Sequence, residues 1–476
     1  MKHTKQKTAL LFNPWIYDFA AYDFWIKPIG LLTLGSLLRA NGWTVQLIDC
    51  LDRYHPLTAG KSKDKGDGTG KFIRQEIEKP AVLKDVPRRF CRYGMPPDLV
   101  RSLLEKIEPP DLILVTSVMT YWYPAVRDAV RLLQEYFPQA HLMLGGIYAT
   151  LCPEHAAAVQ PDELVTGEGE LAVMRRAARI AGEDADFSFH SLDDLPFPAL
   201  DLYPVLVSAP LLTSRGCPNR CSFCASPILC PAYRRRSPEN VLAEIELLYA
   251  RGVSQFAFFD DALLHQAERY IKPILRQVIE RRWRLHFHTP NGLTPRFIDE
   301  ELAHLFRAAG VETIRLSFET ANPERWRAMS GKVSIEDLRR ALANLEAAGY
   351  DRREIGVYLL MGLPDQLPEE FRESARLVHD LGARLYPASF SPIPGTSDWR
   401  KSVASGLWDP QADLLLTNTT LFPLWRKLYS WSFCNELMEW THDLNRRLDK
   451  TIDDEKRSRP ADGEAMLCDV PESFLF

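Results

Sequence analysis

The sequence predicts an α/β protein: a doubly wound parallel sheet, then a partial (β/α)6 barrel, then a helical C-terminal cap. Three observations point there. Short, fully apolar strands alternate with helical patterns over residues 1–181. The alternation resumes over 207–396 with six further strand candidates. From 397 to 476 the strand signals stop, and five of the 11 tryptophans appear instead. Apolar strands separated by helices are the pattern of a parallel sheet covered on both faces.

Ala9–Phe12 is an apolar strand ended by Asn13-Pro14. Residues 29–40 carry Leu31, Leu32, Leu34, Leu37 and Leu38 at helical spacing, closed by Asn41-Gly42. Val45–Ile48, Leu112–Val115, Leu142–Leu144 and Glu163–Val165 are the next strands, with a helix over 125–136. The last strand leads into Gly167-Glu168-Gly169-Glu170, which opens another helix. Residues 53–96 interrupt the pattern. Their stretch 61–71 is polar and glycine-rich, and reads as a flexible surface loop. Residues 182–206 read as a linker, because Pro196, Pro198 and Pro204 break both periodicities.

In the second region the strands fall at 210–214, 255–259, 284–288, 313–317, 355–360 and 385–391. Helices are expected at 238–251, 295–309 and 368–381. Such sheets bind ligands at the C-terminal strand ends. The segment 423–449 has a helical pattern, and an aromatic stripe of this kind is more often core than cofactor site.

Composition narrows the function. Over 476 residues, 25 % are charged and 46 % hydrophobic, the balance of a globular protein. The net charge of −5 gives no sign of nucleic-acid binding. No apolar run approaches the ~20 residues that span a bilayer. The N-terminus does not read as a signal peptide, and the expected location is the cytoplasm.

Cys217, Cys221 and Cys224 form a C-x3-C-x2-C run directly after the first strand of the second region. Soft thiolates select iron–sulfur clusters, zinc or copper(I). Structural zinc takes four ligands, usually with a second C-x2-C pair or two histidines; the sequence has no such pair, and only Cys230 lies near. A cytosolic disulfide is disfavoured. Three ligands on a 4Fe–4S cluster leave one iron open. Cys50, Cys91, Cys152, Cys230, Cys434 and Cys468 are scattered and read as ordinary small apolar residues.

From Ala209 to Thr396 the chain resembles the radical S-adenosylmethionine (SAM) superfamily. The resemblance rests on the three cysteines with Phe223 before the last, Phe259-Asp260-Asp261, Asn291-Gly292-Leu293, Leu316–Thr320, Gly356, Gly362 with Pro364, and residues 392–396. It implies a 4Fe–4S cluster on Cys217, Cys221 and Cys224, with SAM on the open iron. It further implies SAM contacts from Phe223, Asp260, Asp261, Glu319 and Gly362. The two aspartates have an alternative as partners of Arg315 or as hydrated surface groups. The implied chemistry is reductive cleavage of SAM to a deoxyadenosyl radical, fed by a donor such as flavodoxin or ferredoxin.

The N-terminal region resembles the cobalamin-binding domain that precedes many such barrels. The matching stretches are Asn13-Pro14, residues 28–31, residues 42–45, Thr116-Ser117, residues 145–149 and residues 167–170. Ser117, Gly145, Gly146, Gly167 and Glu168 are the cobalamin contacts this implies. The D-x-H-x-x-G motif of many cobalamin domains is missing, as Asp52 and His55 have the wrong spacing. The expected function is a cobalamin-dependent radical SAM methyltransferase acting on an unactivated carbon of a small-molecule or peptide substrate. The alternatives are a cobalamin-independent rearrangement, cyclisation or coupling enzyme, a non-catalytic iron–sulfur protein, and a methylthiotransferase with a second cluster on Cys50, Cys91 and Cys152. The sequence assigns no catalytic residue beyond the cofactor ligands.

Overall fold

A computed structural model describes residues 6–58 and 60–458; Cys468 lies outside them. The described residues form two compact units: those within 6–210, 228–230 and 412–420, and those within 211–227, 231–411 and 421–458.

The first unit is built on a five-stranded sheet of β1 (Thr8–Asn13), β2 (Thr44–Asp49), β3 (Leu112–Val115), β4 (His141–Leu144) and β5 (Glu163–Leu164), in the order β5-β4-β3-β1-β2. Every pairing is parallel. Helices α1 (Ile29–Ala40), α2 (Tyr123–Tyr136) and α3 (Glu170–Ala181) cross between strands. The strands are buried because both faces carry apolar side chains; Leu11, Leu31, Leu38, Leu114 and Val173 share one core. Gly35 lets α1 sit close on β1, since a Cβ there would lie 2.6 Å from Leu11 Cδ1.

The stretch 61–71 is not the free loop that its composition suggests. Lys63–Asp64 pairs with Gly70–Lys71, and Ile16–Asp18, Arg74–Glu76 and Cys91–Tyr93 form a three-stranded antiparallel sheet. Ile16, Leu51, Phe72, Cys91 and Tyr93 give the insertion its own apolar cluster. Arg53 is the pin. Its buried guanidinium meets Asp23 at 2.8 Å and donates to the Gly68 carbonyl at 2.5 Å. A buried charge must find such acceptors, and the polar loop supplies one.

Nor do residues 182–206 hang free. Ala199 N–H donates to Leu32 O, Ser36 Oγ to Phe197 O, and buried Tyr203 OH to Asp49 Oδ2 at 2.6 Å. Residues 412–420, read as part of the cap, belong to the first unit. Asn418 Nδ2 donates to Asp18 Oδ1 at 2.8 Å, both residues being buried. Trp122 Nε1 donates to Asp18 Oδ2 at 2.7 Å, and Tyr123 OH to Asp413 at 3.1 Å.

The second sheet has six strands in sequence order: β6 (Ser208–Leu211), β7 (Gln255–Phe258), β8 (His286–His288), β9 (Val311–Glu319), β10 (Ile355–Met361) and β11 (Arg384–Ser389), with β7 to β11 paired in parallel within the second unit. This is the partial barrel expected. Between them run α4 (Pro238–Tyr249), α5 (Ile271–Glu280), α6 (Glu300–Ala309), α7 (Ile335–Ala347) and α8 (Pro368–Asp380). Ser237, Asp299 and Ser334 cap α4, α6 and α7 through side-chain oxygens. The Asp299 cap explains why the helix expected from 295 starts at Glu300, after a short 3-10 turn at Pro295–Phe297.

Past 421 the described residues end in α9 (Trp431–Ser458). Trp425 is core, edge-on to Phe371 at 6.4 Å. Asn445 on α9 bonds Leu385 of β11 twice, accepting from its N–H at 2.8 Å and donating to its carbonyl at 2.9 Å. Among the described residues no helix is long and apolar enough to cross a membrane.

Candidate functional site

The cysteine loop leaves the C-terminal end of β6 through Ser214–Arg215, which pairs antiparallel with Arg234–Arg235. Its three thiols are free and partly buried. Ser222 fixes the loop: its N–H donates to Met329 O, its hydroxyl to Asp398 Oδ2 at 2.8 Å, and its carbonyl accepts from Asp398 N–H. Ser226 N–H points at Cys224 Sγ at 3.4 Å, and Asn219 Nδ2 at Cys217 Sγ at 3.6 Å. Burial pushes the Cys221 and Cys224 thiols up, opposed at Cys221 by Lys332 and at Cys224 by the Ser226 hydrogen bonds.

Among the described residues, no three His, Cys, Asp or Glu side chains converge on one ion. A cubane gives each cysteine a different iron, so its thiolates stand apart. Three free cysteines on one braced loop, with the Ser226 backbone N–H and the Asn219 side-chain amide aimed at sulfur, fit the cluster.

Beside Cys221 lies a pocket lined by Ser317, Glu319, Trp326, Ser330 and Lys332. Glu319 ends β9 at a register shift and takes φ +72°. A non-glycine residue held there costs about 1–3 kcal/mol, and such strain collects at functional sites. Glu319 is only partly buried as a residue, but its carboxyl group is desolvated. That raises its pKa to about 7, against the pull of Lys332. Trp326 Nε1 is buried without a hydrogen-bond partner. An acidic acceptor, an indole donor and an ammonium thus line one pocket beside Cys221.

The other residues expected at SAM divide. Asp261 is exposed and accepts from Ser226 Oγ at 2.8 Å. Asp260 is buried, and its carboxylate is occupied by Thr213 N–H, Thr213 Oγ1 and Ser214 Oγ, the last two at 2.7 and 2.5 Å. Burial lifts it to about 6. It braces the start of the cysteine loop. Neither aspartate pairs with Arg315, which lies over the Tyr386 ring at 4.2 Å. Gly362 has φ +86°, gives its N–H to Gln366 Oε1 at 2.7 Å and faces the Trp425 ring. Phe223 is partly buried on the cysteine loop. Lys332, Trp326, Ser226 and Asp398 carry no motif and went unnoticed in the sequence.

In the first unit Ser117, Gly145, Gly146, Gly167 and Glu168 lie on the loops after β3, β4 and β5. Ser117 Oγ donates to Gly145 O at 2.6 Å, and Ile147 N–H to Ser117 O. Gly146 has φ +97°, and a Cβ there would lie 2.3 Å from Ser117 O. Gly167 N–H donates to Thr150 Oγ1, and Glu168 is exposed. Met119 on the loop after β3, Ile147 just after Gly146 and Leu171 in the first turn of α3 expose apolar side chains. Close-packed glycine turns crested by apolar residues fit a large, flat, mostly apolar ring such as a corrin. Cys50 and Cys91 are buried elsewhere in this unit.

Residues 211–378 match the radical SAM superfamily and residues 93–177 match the B12 binding domain. The chain carries a radical SAM domain preceded by a B12-binding domain. It is 23 % identical over 397 residues to an uncharacterized methyltransferase of Pyrococcus horikoshii, covering 75 % of this chain and 81 % of that one. It is 22 % identical to the cytidylyl-2-hydroxyethylphosphonate methyltransferase of Streptomyces wedmorensis, covering 81 % and 80 %. Its fold is similar to that of the radical SAM methyltransferase TsrM of Kitasatospora setae, solved with cobalamin and a [4Fe–4S] cluster. That match has a TM-score of 0.62 at 19 % identity and covers 86 % of this chain and 81 % of TsrM. Radical SAM enzymes of this kind take a 4Fe–4S cluster, SAM and cobalamin.

Proposed function

We propose that this B12-binding radical SAM protein is a methyltransferase acting on an unactivated carbon. The pairing of the two domains in one chain carries the reading. The names of the two relatives, both methyltransferases, support it. When bound, the cluster supplies the electron that cleaves SAM, and cobalamin supplies the methyl group.

The chain's own residues bind and orient. Cys217, Cys221 and Cys224 hold the cluster, and Ser222 and Asp398 keep their loop in place. Glu319, Lys332 and Trp326 hold the polar end of SAM, Phe223 packs against its apolar part, and Asp261 offers an acceptor at the rim. Asp260 and Gly362 shape this wall. Ser117, Gly145, Gly146, Gly167 and Glu168 frame the corrin. The electron donor is a flavodoxin or ferredoxin, the location is the cytoplasm, and the substrate is a small molecule or peptide.

The test is anaerobic protein reconstituted with iron, sulfide and hydroxocobalamin. The expected result is a stoichiometric corrin spectrum together with cluster absorbance and SAM-dependent methylation. Replacing Cys217, Cys221 and Cys224 together by Ala abolishes cluster absorbance and deoxyadenosine formation. A cluster-loaded protein that forms deoxyadenosine but takes up no corrin overturns the methyltransferase reading in favour of a cobalamin-free radical reaction.

A further inference from the structure

Two neighbouring arginines in the second unit have opposite surroundings. Arg236 is fully spent: it pairs with Glu244 and donates to Asn240 Oδ1 at 2.7 Å. Arg235, on the pair with Ser214–Arg215, has no carboxylate partner among the described residues. It donates once, to Gln266 Oε1 at 2.5 Å, and lies over the Tyr270 ring at 5.3 Å. Its Nη1 is buried with no hydrogen-bond partner.

Tyr233, two residues earlier, repeats the pattern. Its hydroxyl is buried and makes no well-formed hydrogen bond. The Ser214 hydroxyl, with which it interacts, already donates to Asp260. The Tyr233 ring stands edge-on to His265 at 5.1 Å, and His265 stands edge-on to Phe297 at 6.5 Å. Arg296 lies over Phe297 at 4.6 Å. Burial, then the charges of Arg235 and Arg296, push the His265 pKa down. The nearby acids do not answer these cations. Asp260 is occupied by Thr213 and Ser214, and Asp261 accepts from Ser226.

These side chains come from three places: the strand pair beside the cysteine loop, the loop after β7 and the loop after β8. All three lie at the C-terminal strand ends, where ligands of such sheets bind. Crowded cations with orphaned donors are unfavourable unless an anion completes them. A guanidinium fork matches the paired oxygens of a phosphate or carboxylate.

We propose that Tyr233, Arg235, His265 and Arg296 form a binding subsite for an oxyanionic group, a phosphate, phosphonate or carboxylate. That this group belongs to the methyl acceptor rests on the function proposed above; the anion site itself does not.

The experiment is calorimetric titration of the cluster-loaded, full-length protein with inorganic phosphate, methylphosphonate and acetate at fixed ionic strength, without SAM. Saturable binding of at least one probe is expected, and the tightest identifies the group. Arg235→Gln and Arg296→Gln should each weaken it at least tenfold, and Arg235→Lys should restore part of it. Should Arg235→Gln lose iron or fail to fold, Arg296→Gln carries the test, because Arg296 is exposed. The site is overturned if no probe binds saturably, or if both Gln variants bind as the parent does. Anion binding with no corrin uptake would sink the methyltransferase reading alone.

Discussion

Replacing Asn418 by Ala should undock residues 412–420 within the first unit. The side chain makes three hydrogen bonds: to Asp18 Oδ1 at 2.8 Å, and from Thr420 N–H and Oγ1 at 2.8 and 2.7 Å. The first joins two buried groups, one of them a carboxylate, and is worth about 1.5–3 kcal/mol. The other two are partly buried and water replaces much of them, adding ~0.5–1 kcal/mol. The sum, about 2–4 kcal/mol, raises the open fraction of this segment roughly 30- to 900-fold. Burial raises the Asp18 pKa, and the Asn418 hydrogen bond opposes that rise. Losing Asn418 therefore moves Asp18 further up. The cost is full where Asp18 is ionised, and fades as pH falls and the carboxyl protonates. Amide exchange across 412–420 and 120–123 reads the effect at neutral and acidic pH. Because Thr120–Trp122 follows Ser117 on one loop, corrin retention should weaken in parallel. A change in protection under about threefold would refute this account of the clamp.

Gly146→Ala forces an L residue to φ +97° and puts its Cβ 2.3 Å from Ser117 O; about 2–4 kcal/mol of strain should lower the melting temperature of the first unit by roughly 5–15 °C. Asp260 binds its proton more tightly folded than unfolded, so it takes stability away as pH rises from about 4 to about 6. That loss is about 3 kcal/mol, and Asp260→Asn should flatten it in denaturant titrations at pH 4.5 and 7. Glu319→Gln should raise the SAM half-saturation roughly 10- to 100-fold, the worth of one charge-assisted hydrogen bond, with iron content unchanged. Unaltered SAM affinity would remove Glu319 from the site.

The strands were legible because each is a run of apolar residues: Leu112–Val115 and Ile355–Met361 have almost no polar position to mislead. The cysteine loop was legible because its chemistry is compressed into eight residues. What stayed hidden depends on long-range pairing. Residues 61–71 look incapable of packing until Arg53 is seen buried under them. The segment 412–420 has no periodicity, and its place is set by Asp18, 400 positions away from Asn418. Asp260 and Asp261 are adjacent in sequence but alternate across the sheet end, so one is sealed under Thr213 and the other faces outward. No composition rule separates them. Lys332 and Trp326 reach Glu319 from the connection between β9 and α7, where nothing in the local pattern distinguishes them from surface residues.

The side chain of Asn445 does for β11 what a neighbouring strand would do. A final strand in an unclosed sheet offers a row of backbone donors and acceptors that recruits foreign strands. Asn445 takes both groups of Leu385 with one amide, imitating a peptide unit from within a helix. Strand addition by a peptide or a second copy is therefore opposed at Leu385. Shortening α9 ahead of Asn445 would leave this edge open to edge-to-edge aggregation.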